Sequence, residues 1–346
     1  MDRREFIKIL GLGSAGFLIG VPMCMPFRLQ APLQPDERVT LKVFGIGGVG
    51  CNIVDHVSIN GIKGVDLAIA NLDKVDLQEK VCPSKIYLGK RLMHQAGFDG
   101  GPELGQAYTM ASRRIIKQYL KGSDVVLIVA GMGGITGTGG APIVAQISRE
   151  LGAWTVAIVT TPFRFEGKRR STLAWKGIEK LKVNTDAIIL VPSDSVLQLI
   201  PHSATVWTAF RKLNEILLYV VKALIDFLVC LPSSCVDFND IKNSYSTMGM
   251  ARVGIGLPRQ DGLKDAVLGT IRSPLLDGLS LEQARSIICN VYISGKESLG
   301  EIQEAMEILG REIHEDADFL WKPLIRPGAA PRVVVLAGRF ASEESV

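Results

Sequence analysis

Twelve consecutive residues, Gly131-Met-Gly-Gly-Ile-Thr-Gly-Thr-Gly-Gly-Ala-Pro142, hold six glycines and two threonines. They follow an apolar run, Val125 to Ala130, that reads as a buried strand, and the pattern predicts a helix beginning at Pro142-Ile-Val-Ala. Glycine lets a backbone close around a ligand because it carries no Cβ. A turn of this kind delivers free N–H groups to the N-terminus of the next helix, where the dipole favours anions. The run therefore reads as a phosphate cradle. No Gly-Lys-Ser/Thr follows it, so it is not the lysine-bearing phosphate loop of most nucleotide hydrolases.

The same strand-to-helix rhythm recurs along the chain. Val39 to Phe44 reads as a strand leading into Gly45-Ile-Gly-Gly-Val-Gly50, and Val65 to Ala70, Trp154 to Val159 and Ala187 to Val191 are further short apolar runs. Helical segments such as Ser112 to Leu120 separate them. Continuous apolar strands alternating with helices imply a parallel sheet covered on both faces. From Ala204 to Val229, Val206, Phe210, Leu213, Leu217, Val220, Leu224 and Phe227 recur at helical spacing. A helix of about 25 residues would span close to 38 Å, enough to bridge two domains. Beyond it, a helix is expected near Ser280 to Ile288, a strand near Ile288 to Ile293, a helix around Leu299 to Leu309 and a last strand from Arg332 to Leu336. The expected fold class is α/β: a parallel-sheet domain at 39–203, a central helix at 204–229, a smaller α/β domain at 230–340 and a short tail at 341–346.

Composition removes several function classes. A net charge of +4, with no basic cluster interleaved with aromatics, argues against nucleic acid. Six scattered cysteines form no C-x-x-C pair and four histidines are equally dispersed, so neither a metal cluster nor a disulfide framework is expected. Reduced thiols fit the cytoplasm. The N-terminus points elsewhere. Asp2-Arg-Arg-Glu-Phe-Ile-Lys8 resembles a twin-arginine export signal, and the nineteen residues from Ile9 to Phe27 carry no charge, just enough to cross a bilayer. Four glycines, two prolines and the lack of an A-x-A site leave three readings open: an exported precursor, a membrane anchor, or a misplaced start codon. With the proline-rich linker Ala31 to Arg38, residues 1–38 stand apart from the fold.

Gly45-x-Gly47-x-x-Gly50 after a strand matches the dinucleotide-binding fingerprint, with Asp66 and Asp73 near the spacing of a ribose-binding acid. That spacing serves any nucleotide phosphate, and a simple dinucleotide domain has no second glycine loop. Together the two loops resemble the tubulin/FtsZ superfamily, and within it the FtsZ family of bacterial cell-division GTPases. Gly133-Gly-Ile-Thr-Gly-Thr-Gly139 matches the GGGTGTG signature with Ile135 in place of one glycine, flanked by Gly131-Met132 and Ala141-Pro142 as in that family. Thr160-Thr-Pro-Phe-Arg-Phe-Glu-Gly-Lys-Arg-Arg170 is similar to the family's TKPFNFEGKKR. Pro102-Glu-Leu-Gly105, Val236-Asp-Phe-Asn-Asp240, Ser273-Pro-Leu-Leu276 and Ala284-Arg285 also match, and the resemblance runs over about residues 39 to 340.

The resemblance implies GTP with Mg²⁺, and an enzyme that hydrolyses GTP. Gly48, Val49, Gly50, Cys51 and Asn52, with Gly133, Gly134, Thr136, Gly137, Thr138 and Gly139, would hold the phosphates; Asn71 and Asp73 join the nucleotide-binding set. Glu166 and Arg170 would reach the ribose and phosphate region, and Ser193 stands where the family has a base-contacting Asn. Glu215 stands where it has an Asp facing guanine; a carboxylate can accept from N1–H and the exocyclic amine of guanine, a pair adenine lacks. Asp237 and Asp240 would reach into the nucleotide site of the next subunit and orient water, so hydrolysis would require a head-to-tail filament of identical subunits. Another FtsZ is a second expected partner. The alternative is a paralogue that binds GTP and regulates or scaffolds filaments without turnover; a nicotinamide-dependent Rossmann enzyme is the remote one.

Four departures from the family pattern carry expectations of their own. Cys51 replaces a glycine and is expected to crowd the nucleotide, Asp99 would put negative charge near the γ-phosphate, Leu72 replaces a Thr, and Cys235 replaces an Asn at the inter-subunit site. The chain ends at Val346, without the family's linker and adaptor-binding peptide, so residues 1–27 are expected to tether filaments to a membrane directly. Full-length protein that floats free of liposomes while filaments form would end that idea. The expected location is the cytoplasm, with membrane association through the N-terminal segment.

Overall fold

The computed structural model describes residues 39–62, 64–88, 100–229, 242, 249–258 and 262–338. In chain order the first half comprises β1 (Leu41–Ile46), α1 (Gly47–Ile59), β2 (Val65–Asn71), α2 (Lys74–Glu79), β3 (Ser84–Tyr87), α3 (Pro102–Ala111), α4 (Arg113–Leu120), β4 (Val125–Gly131), α5 (Ile135–Glu150), β5 (Trp154–Thr160), α6 (Lys168–Lys182), β6 (Ala187–Val191) and α7 (Ser193–Val196). The long helix α8 (Val206–Val229) follows, then β7 (Met250–Gly256), α9 (Leu263–Ile271), β8 (Ser286–Ile293), α10 (Leu299–Arg311), β9 (Asp318–Ile325) and β10 (Arg332–Gly338).

One sheet of ten strands runs β3-β2-β1-β4-β5-β6-β7-β10-β8-β9. From β3 to β6 every pairing is parallel, which requires a crossover between neighbours and explains the helices on both faces. The C-terminal strands are mixed: β10 is antiparallel to both β7 and β8, and β8 is parallel to β9. Within the sheet, the two halves pair through Ile188 with Met250 and Ile189 with Ala251.

Helix α8 reinforces that narrow seam. Its apolar stripe, including Leu213, Leu217, Val220, Leu224 and Phe227, shares one core with Val43, Val129 and Ile158 of the parallel half and with Ile288, Val334 and Leu336 of the mixed half. Fully burying a side chain of this size contributes about 1.5–3 kcal/mol, so the stripe couples the halves strongly. A second core on the opposite face joins α3, α4, α5 and α6 to the sheet, and a third lies under α9 and α10.

Several expectations are corrected. Helix α5 begins at Ile135, not Pro142, and Pro142 sits inside it. The glycines of this segment are therefore mostly helical residues in tight packing. A Cβ on Gly139 would lie 1.9 Å from the carbonyl oxygen of Pro102, and one on Gly140 would lie 2.4 Å from Ile46 Cδ1. The helix expected over Ser280 to Ile288 is a single 3₁₀ turn, Leu281–Gln283, after which β8 starts at Ser286. The run Ser-Ile-Ile-Cys-Asn-Val-Tyr-Ile suits a pleated, buried strand better than a helix. Among the described residues, no helix is long and apolar enough to cross a membrane; residues 1–38 lie outside them.

Candidate functional site

The site starts at β1. Gly47, first residue of α1, has φ +74°, a conformation that suits glycine, and a Cβ there would lie 2.9 Å from the amide nitrogen of Gly137. A Cβ on Gly50 would lie 2.1 Å from the Val129 carbonyl oxygen, and one on Gly137 would lie 2.2 Å from that of Gly131. The β1–α1 and β4–α5 connections thus touch, backbone to backbone. Thr138 fixes the second: its Oγ1 accepts from the Gly133 N–H at 2.7 Å.

Between them opens a cleft of about 240 Å³. Its floor is Gly47, Gly48 and Val49 from one connection and Gly131 to Gly137 from the other; Thr160, Thr161 and Pro162 after β5, Glu166, Arg170, Ser193, and Phe210 and Leu213 of α8 form its walls. The cleft lies at the carboxyl ends of β1, β4, β5 and β6. Strand order reverses between β1 and β4, so this is a topological switch point, where open α/β sheets place their ligands. The N-termini of α1 and α5, helices of 13 and 16 residues, both open onto it. At Gly48 and Gly134 a Cβ would meet nothing within 4 Å, so these two glycines face open space. Unpaired helix N–H groups around open glycines form an anion cradle.

The walls are braced from within. Glu166 Oε1 accepts from the Phe163 N–H at 2.9 Å while its other oxygen pairs with Arg170, one turn on. Ser193 Oγ donates to the Thr161 carbonyl at 2.5 Å. Phe210 meets Phe163 edge-on, with ring centroids 5.2 Å apart.

Of the residues expected at a nucleotide site, Gly48, Val49, Gly133, Gly134, Thr136, Gly137, Glu166, Arg170 and Ser193 line this cleft. Gly50, Thr138 and Gly139 sit behind it and set its backbone. Asn52 accepts from Lys80 Nζ at 2.6 Å, Asn71 Nδ2 donates to Asp76 at 2.8 Å, and Asp73 caps α2 by accepting from the Val75 and Asp76 N–H groups. Glu215 accepts from Lys212 Nζ and Tyr219 Oη, each at 3.1 Å, and is not among the lining residues. The expected crowding by Cys51 does not occur. Its side chain is fully buried and the thiol points to the Ala70 carbonyl, 3.4 Å away; burial pushes its pKa far up, leaving an inert thiol. Asp99, Cys235, Asp237 and Asp240 lie outside the described residues.

Sequence reasoning missed Phe210, Leu213 and Thr160 to Pro162 as wall residues. Phe210 and Leu213 obey the same helical period as the core-facing residues below them, so nothing in the spacing separates a wall from a core.

A glycine-built cleft at the switch point of a parallel sheet, with a long helix leading to a second unit, defines a nucleotide-binding protein of the tubulin type. The model of the Tubulin/FtsZ family GTPase domain matches residues 40–201, and that of the FtsZ family C-terminal domain matches 249–338. The chain belongs to the FtsZ family, the FtsZ-type branch of the tubulin-like GTPases. It is similar to the cell division protein FtsZ of Aquifex aeolicus, with 34% identity over 307 residues, 88% of this chain and 84% of that one. Among solved structures, an FtsZ dimer from M. jannaschii is 32% identical with a TM-score of 0.83, covering 89% of this chain and 90% of that one. CetZ1 from Haloferax volcanii, as a GDP-bound monomer, is 18% identical with a TM-score of 0.73 over 89% of this chain and 96% of that one, and speaks for the fold alone.

Proposed function

We propose that the cleft binds GTP and that hydrolysis is completed by the next copy of the chain in a head-to-tail filament, as a cell-division GTPase would require. The observation that carries this reading is the convergence of two glycine segments and two helix N-termini on one open cleft. The triphosphate would rest on the backbone N–H groups of Gly48, Gly134 and Thr136 to Gly137, with Arg170 at the rim. The Phe210 ring offers a face on which a base can stack, and Ser193 stands beside it as a hydroxyl partner. Glu215 would select guanine by leaving its present partners Lys212 and Tyr219. Among the described residues, the cleft's side-chain donors are neutral hydroxyls plus a Glu166 committed to Phe163 and Arg170, so Mg²⁺ would be held chiefly through the phosphates, neutralising their charge.

Asp237 and Asp240 would act in trans, orienting the attacking water in the neighbour's cleft. Phosphoryl transfer needs mainly positioning and charge stabilisation, so a site split between subunits makes assembly the switch for turnover. The M. jannaschii relative is described as a dimer, which supports self-association as the mode of completion. The test is GTP hydrolysis by the full chain against protein concentration, with Asp240→Ala beside it. A rate per subunit that rises with concentration and falls at least a hundredfold in the variant is expected. Guanine-specific binding with no turnover at any concentration would overturn hydrolysis and favour a scaffolding paralogue, consistent with Cys235 standing where the family carries an Asn.

A further inference from the structure

A second, larger cavity of about 520 Å³ lies far from the first, where the end of α1 and the C-terminal half of α8 face β8 and the start of β10. Its charges are unbalanced. Among the described residues, Lys222, Arg326 and Arg332 line it against a single acid, Asp226. Each cation is held in place by the fold. Arg326 pairs with Asp226 at 2.7 Å, and the other Asp226 oxygen accepts from Tyr292 Oη at 3.0 Å. Arg332 lies between two aromatic faces, its guanidinium 4.4 Å from the Tyr219 ring centre and 4.5 Å from that of Tyr292, and its buried Nε has no hydrogen-bond partner. Lys222 Nζ donates to Asn60 Oδ1 at 3.2 Å, across from the guanidiniums.

Two guanidinium planes and one ammonium converging on open space form a donor set for oxyanions, because Arg presents a fork that matches phosphate and carboxylate oxygens. Ile62, Ile225 and Val229 add an apolar wall, and the volume is that of a small-molecule site. Lys222 also senses the surplus: its pKa is lowered, first by burial and then by Arg332, with Asp226 opposing and Arg326 adding to the fall.

We propose that this cavity binds a small multivalent oxyanion, bearing two or more phosphate or carboxylate groups, that bridges the two halves of the molecule. Asn60 belongs to the GTPase domain, Lys222 to the connecting helix α8, and Arg326 and Arg332 to the C-terminal unit, so one ligand would tie all three together. Bound there, it would stabilise the arrangement of the halves by mass action. This site shares no residue with the nucleotide cleft.

The test is calorimetric titration of the full chain, kept in excess GDP so that the nucleotide cleft is filled, with inorganic pyrophosphate and citrate as separate probes. The tighter probe identifies the oxyanion. Lys222→Gln and Arg326→Gln are each expected to weaken it at least tenfold, and Arg332→Lys, which keeps the charge but loses the fork, severalfold. Arg170→Gln, in the nucleotide cleft, is expected to leave it unchanged. Lys222→Gln removes only one surface-reaching contact and retains the fold, which its melting temperature without probe will verify. The absence of binding for both probes overturns the proposal. So does binding indifferent to Lys222→Gln, or reduced only in Arg170→Gln, because the anion is then elsewhere.

Discussion

Two cavities of this molecule are built from opposite materials. The nucleotide cleft is backbone: glycines, helix N-termini and hydroxyls, and among the described residues its one carboxylate, Glu166, is tied to its one cation, Arg170. The cavity between α8 and the C-terminal strands is side chain: among the described residues, three cations and an acid project into it from separate elements. A backbone site is inseparable from the fold, since the packing that forms the sheet also aims the N–H groups. A side-chain site can be retuned one residue at a time without disturbing the elements that carry it. The cost of changing each should differ accordingly.

The largest expected effect comes from glycines that let elements touch. In Gly139→Ala the new Cβ would sit 1.9 Å from the Pro102 carbonyl oxygen and 2.6 Å from the Gln106 nitrogen, backbone atoms that cannot swing aside. Helices α3 and α5 must separate, at a cost of about 3 kcal/mol or more. Denaturant unfolding should show it as a lower midpoint or as loss of the folded state. A midpoint equal to that of wild type would break the backbone half of the comparison.

Gly134→Ala sharpens the same point with a smaller effect. Its Cβ would meet nothing within 4 Å, and its φ of −97° is open to alanine, so stability should hold within about 0.5 kcal/mol. The methyl would project into space the triphosphate is expected to use. GTP affinity should fall about tenfold with an unchanged melting temperature. An affinity equal to wild type would mean the phosphates lie elsewhere in the cleft.

The parallel half was legible because buried strands leave unbroken apolar runs: β1, β2, β4, β5 and β6 all show one. Strands at or near the edges do not. β9, at one end of the sheet, is half exposed and carries Lys322 and Pro323, and β3, at the other, has four residues. The glycine segments announced the cleft, since no other residue type allows such contacts. They gave the wrong secondary structure for it, because glycines that permit close helix packing look, in sequence, like glycines that permit a turn. Asp73 illustrates the opposite error: an acid at ribose spacing proves to be the cap of α2. The second cavity left no trace in the sequence. Lys222 and Arg332 lie far apart in sequence and are brought together by the course of α8 across the sheet.

The smallest expected effect is a pH dependence confined to the side-chain cavity. Of the groups facing it, Arg326, Arg332 and Asp226 are the other charged ones among the described residues, and burial pushes the phenols of Tyr219 and Tyr292 up. Among the described lining residues, Lys222 is the one whose charge is lost early on the alkaline side. Its pKa is lowered from the ordinary 10.5, so the ammonium is lost earlier than that of a solvated lysine as pH rises. A bound anion favours the charged form, so affinity must fall as pH climbs through that lowered value, with a proton taken up on binding there. Losing one unit charge from a partly solvated site is worth about 1 kcal/mol, or roughly fivefold in Kd. Citrate titrations of the full chain in excess GDP, from pH 8 to pH 10 where citrate stays fully ionised, should show this decline, and Lys222→Gln should bind weakly but with a flat profile. A decline that survives in Lys222→Gln would mean that another group titrates, and that the charges shaping this cavity are not the three cations that line it.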